Sequence, residues 1–422
     1  MPIKKILWVT NIPFGPMCEM LGEPNETSGS WLDAAYQAVK DDSDIELHIA
    51  TVSRIDHRIE HTIGNTHFYI LPGGYPFEYD INSSSNYAEW ESLAQRIKPK
   101  VLQIWGTEFT HGYLAQQCMS SVPTIIYMQG LLSSIAKHYQ SGISTWDQIN
   151  NITLRDILKW DWIDKQRQNF KTRAETEMLM LRNADYVIVE NNWCELHCKA
   201  IAPNIKAFKS NLSIKDVFIQ TKWDAELMQK NTILCNASGY PIKGIHMLIK
   251  ALNIVVRKYP NVLLKVPGEH SPFEMNFKQK LKINGYTKYV KSLIEKYNLK
   301  NNIQFLGRLS SHQMATEMSK ANVFAMVSSI ENHSSTLIEA LNVGVPAVAS
   351  NVGGVSEYLT HGVNGLLYRF EEYELLAMHI ISILDSPNLA SRLSQNAISY
   401  MNNNRPANQV KSDFKHIYTH FN

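Results

Sequence analysis

The chain has 422 residues, of which 44% are hydrophobic and 19% charged, and its formal charge is +2. Such a length asks for two domains with a core each, and a near-neutral balance excludes a protein built to hold nucleic acid by charge alone. Five scattered cysteines exclude a disulfide framework and fit a reducing cytoplasm.

The N-terminal MPIKKILWVTNIP reads as a first strand, Ile6–Thr10, and not as a secretion signal. No apolar run approaches the ~18 residues of a membrane span. A short, continuously apolar strand suits a parallel sheet covered on both faces. A loop containing Gly29 follows, and then a helical pattern from Trp31 to about Val39. Strand, glycine loop and helix form a layout that brings backbone N–H groups near a phosphate, although a flexible helix approach gives the same pattern. Asp41-Asp42-Ser43-Asp44 then reads as a solvated turn and not as a metal site.

Further strands are predicted at Ile45–Val52, His67–Leu71, Val101–Trp105, Thr124–Met128 and Tyr186–Glu190, with helices between them. This alternation predicts a doubly wound α/β domain, in which ligand-binding groups follow the carboxyl ends of the strands. Glu108, Gln129 and Asn191-Asn192 occupy such positions. Glu108 reads either as a ligand contact or as a loop carboxylate that caps a helix or pairs with a base. Between residues 135 and 173, Trp146, Trp160 and Trp162 lie among Lys159, Lys165, Arg167, Lys171 and Arg173. We read this as a helical insertion with its tryptophans in the core; the alternative is a surface that rests on anionic membrane. Cys194 and Cys198 match no common zinc spacing and read as buried thiols on a helix.

A polar stretch, Asn211–Gln229, reads as a linker. A second series then begins, with strands at Thr232–Ala237, Asn261–Val266, Ile303–Leu306 and Val323–Val327. Helices are predicted at Ile245–Lys258, Thr287–Tyr297 and Ser311–Ala321, and the chain closes on a helix over Lys411–Phe421. No short-period repeat is present. The expected division is therefore 1–215 for a first domain, completed by a terminal helix within 401–422, and 216–400 for a second.

Two stretches of the second series carry chemistry. The first is Ala237-Ser238-Gly239-Tyr240-Pro241-Ile242-Lys243-Gly244, between a strand and a helix. Lys243 there is either a phosphate-binding cation or a solvated lysine at a helix start. The second is Ser328–Gly354, which reads as polar loop, helix, Gly344 stop, buried strand Val345–Ala349 and a Gly353-Gly354 turn, before a helix over Val355–Thr360. Glu331 and Glu339 in it are separated by seven residues. Backbone N–H groups of Ser335 and Thr336, at a helix start after a strand, suit an anion. Glu339 could accept two hydrogen bonds from a vicinal diol, but Thr336-x-x-Glu339 is also a capping-box pattern.

The Glu-x7-Glu arrangement, with Gly-Val-Pro-Ala-Val-Ala-Ser and Val-Gly-Gly after it, resembles the signature of the retaining glycosyltransferases of family 4. The resemblance covers about Asn231–Tyr368 most strongly. It implies the α/β GT-B fold, two Rossmann-like doubly wound domains facing an interdomain cleft, with the last helix crossing back to the first domain. It implies transfer of a sugar from a nucleoside diphosphate sugar, UDP- or GDP-linked, to a hydroxyl acceptor with retention. It implies that the nucleotide sugar is a co-substrate and that no cofactor or metal is needed. By the same resemblance Glu331 faces the sugar as the catalytic candidate and Glu339 holds the ribose. Gly29, Ser238, Lys243, Ser334, Ser335 and Thr336 line the donor, and Glu108, Gln129, Asn332 and His333 are candidates for sugar or acceptor. Ser238 stands where the family has an arginine, and Arg308 is the candidate replacement. Gln129 stands where many members have a histidine, so that position can hydrogen-bond but cannot titrate near neutral pH. The implied setting is polysaccharide or glycolipid assembly in the cytoplasm, with a glycan or lipid-linked acceptor, peripheral membrane contact and no nucleic acid. The competing readings are a nucleotide-sugar epimerase or phosphorylase on the same fold and a non-catalytic nucleotide-sugar-binding protein. A Rossmann dehydrogenase is disfavoured because no dinucleotide fingerprint follows the first strand.

Overall fold

The computed structural model describes residues 4–23, 30–211, 214–236, 239–268, 271–276, 279, 281–405 and 409–421. The chain divides into two compact units. Unit 1 holds Met1–Ser133, Lys171–Ile214 and Ala407–Asn422, and unit 2 holds Ser134–Phe170 and Lys215–Pro406.

Unit 1 is built on eight strands: β1 (Lys4–Thr10), β2 (Ile45–Val52), β3 (Ile59–Ile63), β4 (Thr66–Leu71), β5 (Val101–Trp105), β6 (Thr124–Tyr127), β7 (Tyr186–Val189) and β8 (Lys206–Lys209). Their order is β3-β4-β2-β1-β5-β6-β7-β8. All neighbours are parallel except β3, which runs antiparallel to β4. The apolar run of β1 divides between the two faces, as alternation along a strand requires. Leu7 and Val9 join a core with Trp90 and Leu93. Ile6 and Trp8 join another with Leu32, Tyr36, Phe414 and Tyr418. The terminal helix, Gln409–Thr419, thus packs on the β1 side of unit 1. Trp8 Nε1 donates to Tyr418 Oη at 2.8 Å, and Tyr418 Oη donates to Gln103 Oε1 at 2.7 Å. Trp8 also meets Trp105 edge-on at 4.9 Å, and Trp105 stacks on Tyr127 at 4.6 Å.

Unit 2 has six strands: β9 (Thr232–Cys235), β10 (Leu263–Pro267), β11 (Ile303–Gly307), β12 (Val323–Met326), β13 (Ala347–Ser350) and β14 (Leu366–Tyr368). All are parallel, in the order β11-β10-β9-β12-β13-β14. This is the doubly wound arrangement in which the chain fills one half of the sheet and then returns to the centre for the other. The reversal lies between β9 and β12, and such a reversal opens the ligand crevice at the carboxyl ends of the strands. In unit 1 the same reversal lies between β1 and β5.

Four expectations change. Residues 134–170 group with unit 2 and not with 1–215. Asp156, fully buried, accepts from Gly285 N at 2.8 Å, Thr153 Oγ1 donates to Ile283 O at 3.0 Å, and His246 Nε2 lies 2.8 Å from Ser141 O. The supposed linker ends early. Asp216–Gln220 is helical, and Trp223 donates from its ring nitrogen to Ala321 O and from its backbone to Val343 O. Trp146 and Trp160 are not core residues: they are 72% and 69% exposed. Val355–Thr360 forms only a short 3-10 turn, Val355–Glu357.

The Tyr418 hydroxyl is buried and bonded on both sides, so Tyr418→Phe strands Trp8 Nε1 and Gln103 Oε1. We expect a loss of about 1–3 kcal/mol, read as a lower midpoint in urea unfolding. An unchanged midpoint would show that the terminal helix is not held by this contact.

Candidate active site

The reversal in unit 2 is bridged by side chains. The strand β9 ends at Cys235, and the chain reaches Lys243 through a 3-10 turn, Pro241–Lys243. The strand β12 ends at Met326 and leads into Ser328–Ser334. Lys243 Nζ donates to Glu331 Oε1 at 2.6 Å, and Ser328 Oγ donates to the same oxygen at 2.6 Å. The two loops are pressed together. Ser329 N donates to Ile242 O at 2.7 Å, and a Cβ on Gly244 (φ +71°) would fall on the Val327 carbonyl oxygen. On the other flank, Gly354 N donates to Glu331 O at 3.2 Å, and a Cβ on Gly353 (φ +53°) would strike that oxygen. Glycine is required at both places, because only it combines positive φ with such close approach. Glu331 is therefore clamped by the β9 and β13 loops at once.

The helix after Glu331 runs Ser335–Val343, with Leu337, Ile338, Ala340 and Leu341 buried, and it stops at Gly344. Its N-cap is Ser334, whose side chain makes no capping bond. Thr336 is the second helical residue, so the Thr336–Glu339 capping box does not form. The N-cap side chain thus leaves the first-turn N–H groups uncapped, and the helix dipole adds positive potential there. Ser334 N donates to Tyr358 Oη at 3.3 Å. His333 lies against the Tyr358 ring, and Arg405 Nη1 donates to His333 Nε2 at 2.7 Å. A guanidinium has only donors, so this histidine presents a lone pair at Nε2. Arg405 is a neighbour of the loop that sequence reasoning missed, because it lies 72 residues away in the chain. Asn332 is buried in the same loop.

Glu339 is half-buried on this helix, and among the described residues no hydrogen bond holds its carboxylate. Burial raises its pKa to about 7, with Lys215 pulling the other way. Arg308 follows the edge strand β11. It is exposed, two strands from β9, and lines a separate cavity of about 600 Å³ with Glu274, Lys282 and Thr287. Two strand spacings of about 4.8 Å separate β11 from β9, and among the described residues no hydrogen bond or ion pair joins Arg308 to Lys243 or Glu331. Gly29 and Ser238 lie outside the described residues.

Unit 1 repeats the pattern. Asn11, just past β1, donates to Glu108 Oε2, just past β5. Gly130 N, past β6, donates to Glu108 Oε1 at 3.2 Å. Gln129 stands beside it at the end of the same strand. Arg173 grips the Glu108 carbonyl oxygen from two nitrogens, at 2.8 and 2.6 Å. Burial and the nearby Glu177 push the Glu108 carboxyl up to about 7. Glu177 is fully buried and accepts from Thr107 Oγ1, Leu132 N and Ser133 N. The Asp41–Asp44 turn precedes β2, with Asp44 N donating to Asp42, far along the strands from these carboxyl-end groups.

Comparison with known proteins places this geometry. Residues 219–400 match the family model described as glycosyl transferases group 1. Over these residues the chain is similar to group 1 glycosyl transferases, and its fold is GT-B. The GT-B architecture extends over the whole chain: sucrose-phosphate synthase from Thermosynechococcus elongatus superposes with a TM-score of 0.71 at 17% identity, covering 99% of this chain and 98% of that one. The Anabaena protein Alr3699/HepE, solved with UDP and glucose, gives 0.67 at 15% identity, over 99% and 100% of the two chains. In sequence, a GDP-mannose-dependent monoacylated alpha-(1-6)-phosphatidylinositol monomannoside mannosyltransferase of Corynebacterium glutamicum is 28% identical over 162 residues, 37% of this chain and 38% of the relative. Glycogen synthase of Mycobacterium tuberculosis is 26% identical over 155 residues, 37% of this chain and 34% of the relative. The similarity to these curated relatives thus spans little more than a third of their length.

Proposed function

We propose that the protein is a retaining, metal-independent glycosyltransferase that moves a hexose from a UDP- or GDP-sugar to a hydroxyl of a glycan or lipid-linked acceptor. The observation that carries this reading is the Lys243–Glu331 pair, set across the sheet reversal beside an uncapped helix N-terminus. A leaving diphosphate gains charge as the sugar bond breaks, and a fixed cation with oriented N–H groups stabilises that state more than the ground state. Lys243 and the Ser335 and Thr336 backbone bind the diphosphate, Glu339 accepts the ribose hydroxyls, and Glu331 faces the sugar. Asn332 and His333 are proposed sugar or acceptor contacts, and Ser238 is proposed as a further donor contact. In unit 1, Glu108 and Gln129 are the proposed acceptor contacts. The Anabaena neighbour was solved with UDP and glucose, which supports a uridine nucleotide as the first donor to try.

A membrane-borne acceptor is supported by the exposed side chains of helices Thr145–Asn150 and Leu154–Lys159. Trp146, Ile149, Leu154, Ile157, Leu158 and Trp160 all face solvent, next to exposed Lys159. In the second helix Asp156, with its N-cap Thr153, points inward, to Gly285 and Ile283. An apolar face flanked by lysine suits the interface of an anionic bilayer. We propose a cytoplasmic protein that rests on such a surface through this face. Flotation with vesicles containing anionic lipid should carry the protein, and Trp146→Ala/Trp160→Ala should stay at the bottom. Equal behaviour of the two proteins removes this contact from the proposal.

The donor assignment is tested by thermal shift against a panel of nucleotide sugars, where a donor at ~100 Kd stabilises by about 2.7 kcal/mol. Lys243→Ala should weaken the responding donor by about 1.5–3 kcal/mol, the worth of a hydrogen bond to a charged group. Glu331→Ala should keep donor binding and lose turnover by about 100-fold or more. Turnover at the wild-type rate in Glu331→Ala would refute the catalytic role. Conversion of the donor sugar without an acceptor would favour an epimerase.

The raised Glu339 pKa sets the pH dependence. Ribose hydroxyls donate to the ionised carboxylate, so protonation competes with the donor. Affinity should be level above pH 7 and fall as the pH drops below about 7, by up to about tenfold per unit for one proton. Isothermal titration between pH 5.5 and 8.5 measures this, and Glu339→Gln should flatten the profile. A wild-type profile flat over that range would separate Glu339 from the nucleotide.

A further inference from the structure

One face of the unit 1 sheet is interrupted by a polar row. The strand registers place Lys5 beside Glu46, His48 beside His67, and His67 beside Thr62. Glu46 and His48 are two apart on β2, so all five side chains leave the same face. Further along that face the residues are apolar: Leu7, Val9, Ala50 and Val52 belong to one core. The row lies near the amino ends of β1 and β2, away from Asn11 and Glu108 at the carboxyl ends.

Within the row, three ligand-type atoms converge. Glu46 Oε1 lies 3.0 Å from His48 Nε2 and 3.8 Å from His67 Nε2. All three ligand atoms fall within 4.8 Å of one another. A tetrahedral zinc with bonds of about 2.0–2.1 Å keeps its ligands roughly 3.3 Å apart, and the observed spacings bracket that value. The other nitrogen of each ring is already engaged. His48 Nδ1 shares a hydrogen bond with Tyr69 Oη at 3.0 Å, and His67 Nδ1 shares one with Thr62 Oγ1 at 3.0 Å. Such outer partners hold the tautomer that leaves Nε2 as the ligand. The rings are stacked, 4.8 Å between centroids and 19° between planes, with both Nε2 atoms within 3.8 Å of Glu46 Oε1. His48 is buried, whereas Glu46 and His67 are half-buried, so the fourth position opens toward solvent. Lys5 Nζ, 3.5 Å from Glu46 Oε1, is 41% exposed and free to turn outward.

We propose that Glu46, His48 and His67 form a binding site for a divalent transition-metal ion of the zinc type, separate from the donor chemistry of unit 2. Two imidazoles and one carboxylate with an open fourth position suit zinc, and the soft–hard balance disfavours calcium and magnesium, which take oxygen ligands. An ion there ties β2 to β4.

The test is titration of the metal-free full-length protein with Co²⁺, followed by displacement with Zn²⁺. The expected result is one equivalent bound, with the visible d–d bands of four-coordinate cobalt lost on adding zinc. His67→Gln, at a half-exposed position, should weaken cobalt about 100-fold while far-UV circular dichroism stays native. Thr62→Val, which touches no ion, should weaken it about tenfold through the outer hydrogen bond. His61→Gln, exposed on β3, should leave binding unchanged. Absence of the bands at saturating cobalt, or binding that His67→Gln does not alter, overturns the proposal.

Discussion

The ion pair between Lys243 and Glu331 is the contact on which the unit 2 site depends. It joins residues 88 apart, across the point where the sheet reverses direction. Lys243 remains 30% exposed and Glu331 10%. Screening at the part-exposed lysine and the cost of desolvating Glu331 leave such a pair little net effect on stability. Its worth is positional. It brings a cation and a carboxylate to the carboxyl ends of β9 and β12, where the strand order leaves a crevice. The two glycines make this approach possible, and the Ser328 hydroxyl fixes which oxygen of Glu331 the lysine meets.

Unit 1 obeys the same constraint with different chemistry. Its reversal is bridged by Asn11 and Glu108, a neutral donor and a carboxyl pushed up toward neutrality. No lysine or arginine side chain bonds the Glu108 carboxylate among the described residues; Arg173 takes its backbone carbonyl oxygen instead. A group balanced near neutral pH suits hydrogen bonds to a hydroxyl, whereas a fixed cation suits phosphate. One sheet topology, met twice, thus carries a cation–carboxylate bridge at the reversal of unit 2 and a neutral donor–carboxyl bridge at that of unit 1.

How much of this the sequence shows depends on how local each signal is. The central strands are readable because both faces are covered, which makes Ile6–Val9 and Val323–Val327 continuous apolar runs. The strand β3 carries no such signal: its residues Glu60, His61, Thr62 and Ile63 are exposed at the sheet edge. The four-residue edge strand β8 is equally mute. The Glu331–Glu339 stretch is readable because loop, helix and glycine stop lie within one short segment. What joins it to Lys243, Arg405 and Tyr358 is tertiary and has no local pattern. The allegiance of residues 134–170 is of the same kind, since it rests on Asp156, Thr153 and Ser141 finding partners more than 100 residues away. The tryptophans there misled for a physical reason. Apolar residues ordinarily mark a core, and only the inward hydrogen bonds of Thr153 and Asp156 reveal that these helices present their apolar side to solvent.

The pairing of Lys243 with Glu331 also bears on how a donor would be received. The ammonium has three donor positions, so it can hold Glu331 and a phosphate oxygen together. A lysine that kept only Glu331 would be a poor phosphate ligand, because the carboxylate cancels its charge. A lysine that kept only phosphate would leave the Glu331 carboxylate to the Ser328 hydroxyl alone. Sharing would resolve the conflict, since one ammonium can bond the carboxylate and an oxyanion at once. The clamp on Glu331 by Gly354 N and Ser328 Oγ then matters more than the lysine for the carboxylate's own placement. The division of work in the stretch follows from this. Gly354 N and Ser328 Oγ hold Glu331, Lys243 is tethered to it from the β9 side, and Glu339 lies in the first turn of the helix that follows.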